Sequence, residues 1–308
     1  MTIHRDWIGV MKEECPAAFT KDIPFKPKVA FIDGMPLLMK SSHITRWSEL
    51  VNFNFARPVK RFMGLGASVV VLGFDVYTFV PGAKSITQAN RSKRVAKCSF
   101  SDQTQLPTVI PLEYNDFMRN RAFKRRVVQL VVETLPGILD LKGGQELIID
   151  YESCPIRFRY DVAEQKVVQD FMVDIPPMGE CDVKCTRWFK RYGDGVAHSV
   201  DGDFIPISLI NYEAELRNLQ ANPDSRAARP NKVAIFRMEF GANKDDNDMP
   251  ESLSKTSKKR SLTGSERQQT VQKAKKTSRP MEYVSIPLLY ESMFIAFRQL
   301  AGTGFNSR

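Results

Sequence analysis

Short apolar runs that end in an aspartate recur along the chain and determine its predicted architecture. They span Lys28–Asp33 (KVAFID), Ser68–Asp75 (SVVVLGFD) and Gly195–Asp203 (GVAHSVDGD). Near-continuous apolar strands of this kind belong to sheets that are covered on both faces, and such sheets are usually parallel. Because amphipathic helical patterns lie between the runs, the sequence predicts an α/β fold with a central, mostly parallel twisted sheet, helices on both faces and right-handed crossovers.

One helix is predicted clearly, directly before the third apolar run. In the stretch GECDVKCTRWFKRYG, apolar side chains follow the helical spacing i, i+4, i+7, i+8 and i+11. They are Cys181, Cys185, Trp188, Phe189 and Tyr192. This spacing places them on one face of a helix, and Gly193 follows as a residue type that commonly ends one.

The region between the second and third apolar runs is predicted to hold a basic, arch-like insertion. It covers about residues 84–172 and includes one long helix over residues 113–139, ended by Pro136 and Gly137. The segments Leu147–Glu152 and Ile156–Asp161 are predicted strands, interpreted as an inserted hairpin.

The C-terminal third combines a last strand, a polar linker and a closing helix. Lys232–Phe240 is a predicted strand, and residues 242–280 are polar and lysine-rich, which predicts a disordered basic linker. The stretch SIPLLYESMFIAFRQLAG then predicts an amphipathic helix. One domain is therefore expected to comprise residues 1–241 and 281–308.

Composition excludes several classes of protein. No window approaches eighteen uninterrupted apolar residues, and the N-terminal stretch has no apolar core, so neither a membrane helix nor a secretory signal is expected. The five cysteines are scattered, which favours reduced thiols in an intracellular protein. Cys181 and Cys185 have no second Cys/His pair nearby, so zinc is not expected.

The net charge of +10 is distributed unevenly. Residues 84–126 carry a net charge of +7 and residues 254–279 a net charge of +8, which leaves −5 for the rest of the chain. An acidic body with two basic segments suggests a polyanion that is held near an acidic site, with cations between them. The basic tail is equally compatible with a nuclear localisation signal and with a solvating linker.

Six carboxylates follow the predicted strands or begin the predicted helix. They are Asp33, Asp75, Glu180, Asp182, Asp201 and Asp203. Any one of them alone is explained by a turn or a helix cap. Together they meet at the carboxyl edge of a parallel sheet, where two carboxylates about 4 Å apart repel by roughly 4 kcal/mol at an effective dielectric constant near 20. Divalent cations relieve that repulsion, and a pair of them supports phosphodiester hydrolysis.

At these positions the sequence resembles the flap endonuclease/XPG family of structure-specific 5′ nucleases, within the PIN-like superfamily. The similar blocks are FKPKVAFIDGMPLLM, VVVLGFDVYTFVPGAKSITQANRSKR, VDIPPMGECD and HSVDGDFIPI. The resemblance implies a PIN-like three-layer fold and assigns the six carboxylates to two Mg²⁺ ions, which Mn²⁺ can replace. It also assigns Lys84 and Arg91 to the scissile phosphate.

The resemblance further implies a nucleic-acid substrate, with DNA favoured over RNA, cleaved at 5′ flaps or single-stranded ends in repair or replication. Basic residues of the arch would contact it: Lys93, Arg94, Arg119, Arg121, Lys124, Arg125 and Arg126. The aromatic residues Tyr114, Phe117 and Phe123 would either stack bases or pack in the core.

Two departures from the family pattern leave an alternative open. Gly304 stands where a seventh acid is expected, and the helix–two-turn–helix module that normally follows is not in the sequence. Asp150 would either replace the missing acid or serve as a hairpin residue. The alternative function is a catalytically impaired PIN-like nucleic-acid-binding or scaffold protein; its protein partners are unknown.

Overall fold

A computed structural model describes residues 6–39, 44–76, 100–101, 103–151, 154–199, 203–221, 229–237 and 282–293. Within these ranges the protein is an α/β structure built on a single mixed sheet. No helix in these ranges is both long enough and apolar enough to cross a membrane.

The sheet has nine strands within the described ranges, in the order β1-β9-β8-β7-β2-β3-β4-β5-β6. Their bounds are β1 Phe19–Thr20, β2 Val29–Asp33, β3 Val69–Gly73, β4 Glu146–Asp150, β5 Ile156–Asp161, β6 Lys166–Phe171, β7 Gly195–Ser199, β8 Val233–Arg237 and β9 Glu282–Ser285. The five central strands, β8-β7-β2-β3-β4, are parallel to one another, and antiparallel strands continue the sheet on both sides.

The helices pack on both faces of this sheet. Their bounds are α1 Asp6–Glu14, α2 Gly34–Leu37, α3 Trp47–Leu50, α4 Arg57–Gly64, α5 Tyr114–Phe117, α6 Arg121–Ile138, α7 Cys181–Tyr192, α8 Phe204–Ala221 and α9 at residues 286–293. A π-helical segment, Val51–Ala56, joins α3 to α4 without a break. Side chains of α3 to α6 share one hydrophobic core with one face of the sheet, whereas those of α7, α8 and α9 share a second core with the other face.

The central strands have the composition that their burial requires. All five residues of β2, β3 and β7 are buried, since helices cover both faces. The predicted strands at these places are therefore confirmed. β2 ends at the expected Asp33, whereas β3 and β7 end before the expected aspartates, at Gly73 and Ser199. The predicted helix 181–192 is also confirmed, and Gly193 ends it with a φ of +95°, a left-handed conformation that glycine adopts without a Cβ penalty.

The strands expected within the insertion belong to the main sheet. β4 lies parallel to β3, with Gly73 opposite Asp150, and β5 and β6 extend the sheet from there. The two predicted strands are confirmed and pair antiparallel, as in the predicted hairpin, but they belong to the main sheet and are not separate from it. Four of the five β4 residues are buried, namely the apolar Leu147, Ile148 and Ile149 and the charged Asp150.

The long helix predicted at residues 113–139 is interrupted. Asn120 ends the turn that follows α5 and caps α6, because its side-chain oxygen accepts hydrogen bonds from the backbone N–H groups of Ala122 (2.9 Å) and Phe123 (3.2 Å). The helix also continues through Pro136 to Ile138 instead of stopping before the proline. Pro136 lies in the last turn, where the remaining helix is short.

The aromatic residues of this region pack in the core. Tyr114 and Phe123 are fully buried, and Phe117 is half-buried against the same cluster. The Phe123 ring contacts the rings of both Tyr114 and Phe117, and the Tyr114 hydroxyl donates to the Leu38 carbonyl oxygen at 2.7 Å. Of the two interpretations open at the sequence level, base stacking is therefore wrong for Tyr114 and Phe123. The expected linker, residues 242–280, lies outside the described residues.

Candidate active site at the carboxyl edge of the sheet

Asp33 is held at the end of β2, where the strand passes into α2. Its Oδ1 accepts the backbone N–H of Met35 at 3.0 Å, and its Oδ2 accepts the Ser199 hydroxyl at 3.3 Å. Ser199 is the last residue of β7, the parallel neighbour of β2. The carboxylate is only 8% exposed, so hydrogen bonds from two elements orient it at the sheet edge.

Asp75 joins the end of β3 to the start of α7. Its Oδ1 accepts the backbone N–H of Cys181 at 2.9 Å, and the next residue, Val76, donates its N–H to the Gly179 carbonyl oxygen at 2.7 Å. A carboxylate at a helix N-terminus is stabilised by the unpaired N–H groups and the helix dipole. The Asp75 bond joins residues 106 positions apart, and the Val76 bond supports it at the same place on the sheet edge.

Glu180 and Asp182 lie beside Asp75 in the chain segment that begins α7. Glu180 occupies the N-cap position without a side-chain capping bond, and Asp182 lies in the first turn. The Asp182 Oδ1 accepts the backbone N–H of Val183 at 2.8 Å. Both acids are partly exposed.

Two buried thiols of α7 lie within the electrostatic influence of these carboxylates. Burial raises the pKa of the Cys181 thiol well above its usual range, and the negative charges of Asp33 and Asp75 raise it further. Burial likewise raises the pKa of Cys185, assisted by the charges of Asp182 and Asp33. The carboxylates of Asp33, Asp75 and Asp182 therefore share the electrostatic environment of a single helical turn.

The remaining two acids of the predicted set follow β7. Asp203 is half-buried and directly precedes α8, whose Ile207 N–H approaches the Asp203 carbonyl oxygen at 3.3 Å. Asp201 lies outside the described residues, as does Gly304. Within the described ranges, no group of three or more His, Cys, Asp or Glu side chains is placed so that it could hold a metal ion.

Asp150 ends β4 at the same edge but is engaged elsewhere. Its Oδ1 lies 3.0 Å from the Lys184 ammonium, and its Oδ2 accepts from Arg187 Nη2 at 2.6 Å and from the Trp188 indole at 2.7 Å. The residue is 2% exposed, and Lys184 is completely buried. Two cations and an indole N–H contact the oxygens of Asp150, so this residue anchors α7 to the sheet. This arrangement does not support a role for Asp150 as a replacement metal ligand, and it gives Asp150 more than the role of a hairpin residue.

Lys184 and Arg187 were not recognised as important from the sequence. The Lys184 ammonium also donates to the carbonyl oxygens of Phe74 (2.8 Å) and Asp150 (3.0 Å), which fixes the exit of β3. A signal was present, because residue 184 lies between Cys181 and Trp188 on the apolar face of α7. A lysine on a buried helical face has to be paired with a buried acceptor or acid.

Lys124 is the predicted nucleic-acid contact that the structure brings to the acidic edge. Burial lowers the pKa of its ammonium, the negative charge of Asp75 opposes that shift, and Arg121 adds to it. The first turns of α6 therefore place positive charge within electrostatic reach of Asp75. Arg121 and Arg125 are exposed on the same turns.

The other predicted basic contacts are dispersed. Arg119 is exposed and lies 3.5 Å from Asp116, and Arg126 donates to Gln129 at 2.9 Å along α6. Four further residues lie outside the described ranges, namely Lys84, Arg91, Lys93 and Arg94.

Comparison with known proteins identified no relative. No family model, no curated protein and no solved structure matches the chain. The resemblance to 5′ nucleases thus depends on the sequence motifs quoted above. The positions of the motif residues in the structure do not depend on that resemblance.

Proposed function

We propose that this protein is a divalent-metal-dependent nuclease, a divergent PIN-like member of the flap endonuclease/XPG type. The observation that carries the proposal is the hydrogen bond from the Cys181 N–H to Asp75. It joins the acid that follows β3 to the two acids that begin α7, beside the Asp33 carboxylate. Unrelated cap residues have no reason to converge at one sheet edge.

The chemistry of these side chains suits Mg²⁺ or Mn²⁺. All the donors are carboxylate oxygens, the ligands that hard cations prefer, and backbone N–H groups orient three of them. Mg²⁺ is commonly held by one or two carboxylates together with waters and substrate phosphates. Asp33, Asp75, Glu180, Asp182, Asp201 and Asp203 would together hold two such ions, some of them through water.

When bound, such ions acidify a water molecule and neutralise charge on the reacting phosphate. The chain itself orients the carboxylates through α7 and Ser199, and it presents basic side chains to the phosphodiester backbone. Lys124 and the exposed Arg121 and Arg125 would guide the strand toward Asp75. Lys84 and Arg91 would contact the scissile phosphate.

The substrate proposed is DNA with a 5′ flap or a single-stranded end. The charge of Asp75 acts on Lys124, so a nucleic-acid backbone that bound Lys124 would pass close to that carboxylate. Phosphate contacts of this kind carry little sequence information, which fits an enzyme that recognises the shape of its substrate.

A cleavage assay tests the proposal. Labelled 5′-flap DNA, single-stranded DNA and single-stranded RNA are incubated with the full chain in Mg²⁺ or EDTA. Wild type should cleave only with metal, and Asp75→Asn and Asp201→Ala should each lower the rate by about 100-fold or more. The asparagine in Asp75→Asn keeps an oxygen that accepts the Cys181 N–H. A lower cleavage rate in this variant is therefore due to the lost charge and not to misfolding.

Asp140→Asn is the matched control, because Asp140 is exposed and distant from this edge in the chain. Cleavage that is equal in wild type, Asp75→Asn and Asp201→Ala would reject the assignment of these acids. Salt-dependent binding of nucleic acid without any metal-dependent cleavage would instead favour the non-catalytic scaffold function.

A further inference from the structure

β6 is the last strand at one side of the sheet within the described residues. It has six residues, no proline and an unbroken residue-by-residue register with β5. β1, at the opposite side, has only two residues. Native sheets commonly protect their edges with short strands, prolines, bulges or covering elements, because an open edge pairs readily with other chains. β1 is protected by its shortness, whereas β6 has none of these protections within the described part of the chain.

Most backbone groups that point outward from β6 have no partner among the described residues. In an antiparallel pair, the N–H and C=O groups of alternate residues point toward the neighbouring strand, and those of the residues between them point away. Met172 donates its N–H to the Pro155 carbonyl oxygen at 2.9 Å, on the β5 side. The alternation therefore directs the backbone groups of three residues away from β5, namely Val167, Gln169 and Phe171. Of these groups, only the Phe171 carbonyl oxygen has a partner, the Val173 N–H at 3.1 Å.

The outer edge of β6 is also apolar. Four of the twelve large apolar side chains that are exposed among the described residues lie between positions 162 and 173, namely Val162, Val167, Phe171 and Val173. Phe171 is 62% exposed and Val167 is 38% exposed. Their side chains lie on one face of the sheet, because an even number of positions separates them along the strand. Single exposed apolar residues are ordinary, but a group of them along an unpaired strand indicates an interaction site.

The charged residues of β6 are paired within the same chain. Lys166 lies 2.7 Å from Glu164. The Asp170 carboxylate lies 3.0 Å from both Arg157 and Arg159, which belong to β5. Charged side chains at an edge commonly discourage pairing with another chain. Because each of these charges has an opposite charge beside it, two copies of the strand do not repel each other strongly.

We propose that β6 pairs antiparallel with β6 of a second copy of this chain, about a two-fold axis at Gln169. In this register, the outward backbone groups of Gln169 face their counterparts in the second copy, and those of Val167 face those of Phe171. Each Val167 side chain then lies opposite a Phe171 side chain, and pairs of an aromatic and a β-branched residue stabilise neighbouring strands. The edge is therefore self-complementary in its backbone groups and in its apolar side chains, which favours a second copy as the partner.

This pairing sets the orientation of the two copies. β6 runs parallel to the central strands, because two antiparallel pairings separate it from β4. Its counterpart runs in the opposite direction, so the two acidic edges lie at opposite ends of the joined sheet. Provided that these edges carry the proposed nuclease sites, each copy acts on its own substrate; the pairing itself does not depend on that function.

Sedimentation equilibrium of the full chain at a series of concentrations tests the pairing. An interface formed mainly by one strand is smaller than the roughly 1,200 Å² of the smaller stable complexes, so we expect a dimer with a dissociation constant of about 10–100 μM. Val167→Lys and Phe171→Glu should each weaken it by about tenfold or more, because each variant removes an apolar pair twice in the dimer. The double variant Val167→Lys/Phe171→Glu should recover dimerisation, since the new lysine lies opposite the new glutamate of the other copy.

Leu65→Lys is the matched control. Leu65 is 42% exposed and follows α4, which packs on β2 and β3, so this variant should dimerise as wild type does. Gln169→Pro removes an N–H that points away from β5, which an edge strand tolerates, so the monomer should fold and the dimer should be lost. Thermal unfolding verifies that all the variants fold.

Four results would overturn the proposal. The wild-type chain could remain monomeric up to about 500 μM, well above the expected dissociation constant. A dimer could persist in both Phe171→Glu and Gln169→Pro, or the double variant could fail to recover dimerisation. Finally, hydrogen exchange could show the Val167, Gln169 and Phe171 amides to be protected equally at every concentration, which would mean that another segment of the same chain covers the edge.

Discussion

The buried ammonium of Lys184 lies 3.0 Å from the Asp150 carboxylate and connects α7 to the end of β4. The Lys184 side chain is 0% exposed and that of Asp150 is 3% exposed, so water solvates neither charge. This pair, with Arg187 and Trp188, fixes the helix whose first turn carries Glu180 and Asp182. The acidic edge therefore depends on an ion pair that takes no part in the proposed chemistry.

Removing the charge of Asp150 should destabilise the fold strongly. Asp150→Ala leaves two cations unpaired in a buried place, and we expect the free energy of unfolding to fall by about 3–5 kcal/mol. Urea denaturation measures this, with Asp140→Asn as the exposed control. The triple variant Asp150→Leu/Lys184→Met/Arg187→Met should recover much of the loss, because a whole buried ionic group can be replaced by apolar side chains. If the single variant were as stable as wild type, the structural role of Asp150 would be wrong.

His198 should make the fold sensitive to acid. Its pKa is lowered from 6.5 to about 4 in the folded state. The unfolded chain therefore takes up a proton that the folded chain does not, and stability falls as the pH drops from about 6.5 to about 4, by at most about 3 kcal/mol. His198→Gln should remove this contribution to the pH dependence of the free energy of unfolding, and the contributions of other titratable groups should remain. Identical pH profiles of wild type and variant in urea denaturation would contradict the prediction.

The N-cap of α6 should be measurable by substitution of Asn120, whose side-chain nitrogen also donates to the Phe100 carbonyl oxygen at 3.1 Å. Asn120→Ala removes the acceptor for the Ala122 and Phe123 N–H groups together with that donor, and we expect a loss of about 1–2 kcal/mol in the free energy of unfolding. Asn120→Asp retains a capping oxygen and loses only the Phe100 contact, so it should be less destabilising than Asn120→Ala. A thermal or urea denaturation series compares the three proteins, and equal effects of both substitutions would argue against capping.

The cysteines should differ in reactivity. Burial raises the pKa values of the Cys181 and Cys185 thiols, and nearby carboxylates raise them further, so neither forms the reactive thiolate near neutral pH. Cys154 is half-buried and should be alkylated first among the described cysteines. Iodoacetamide labelling of native protein, followed by peptide mass spectrometry, tests the order. Rapid labelling of Cys181 would show that α7 opens readily at its N-terminus.

Lys124 should couple metal binding to substrate binding. Its charge acts on Asp75, so Lys124→Gln should tighten Mg²⁺ binding by about three- to tenfold by removing a like charge. The same change should weaken binding of single-stranded DNA by removing a phosphate contact. Lys142→Gln is the control, since Lys142 is exposed and is not one of the predicted nucleic-acid contacts. Metal titrations followed by DNA-binding assays distinguish the two effects. We expect Lys124→Gln to raise the affinity for Mg²⁺ and to lower the affinity for single-stranded DNA.

The sequence by itself determined the central strands, α7 and its terminal Gly193. Strand burial on both faces requires continuous apolar residues, and a helix that packs on a sheet requires one apolar face, so both leave local periodic signals. The same local logic located Asp33, Asp75, Glu180 and Asp182 at element ends.

Only the tertiary structure decided which distant residues meet. Sheet order placed β4 beside β3 and therefore brought Asp150 under α7, where Lys184 and Arg187 neutralise it. Phe53, Arg61 and His198 likewise line one cavity although they come from the π-helical segment, α4 and β7, and no spacing along the chain encodes that meeting. Local patterns reflect burial, whereas pairing between elements depends on packing of the whole sheet, which is why the charges were visible in the sequence and their partners were not.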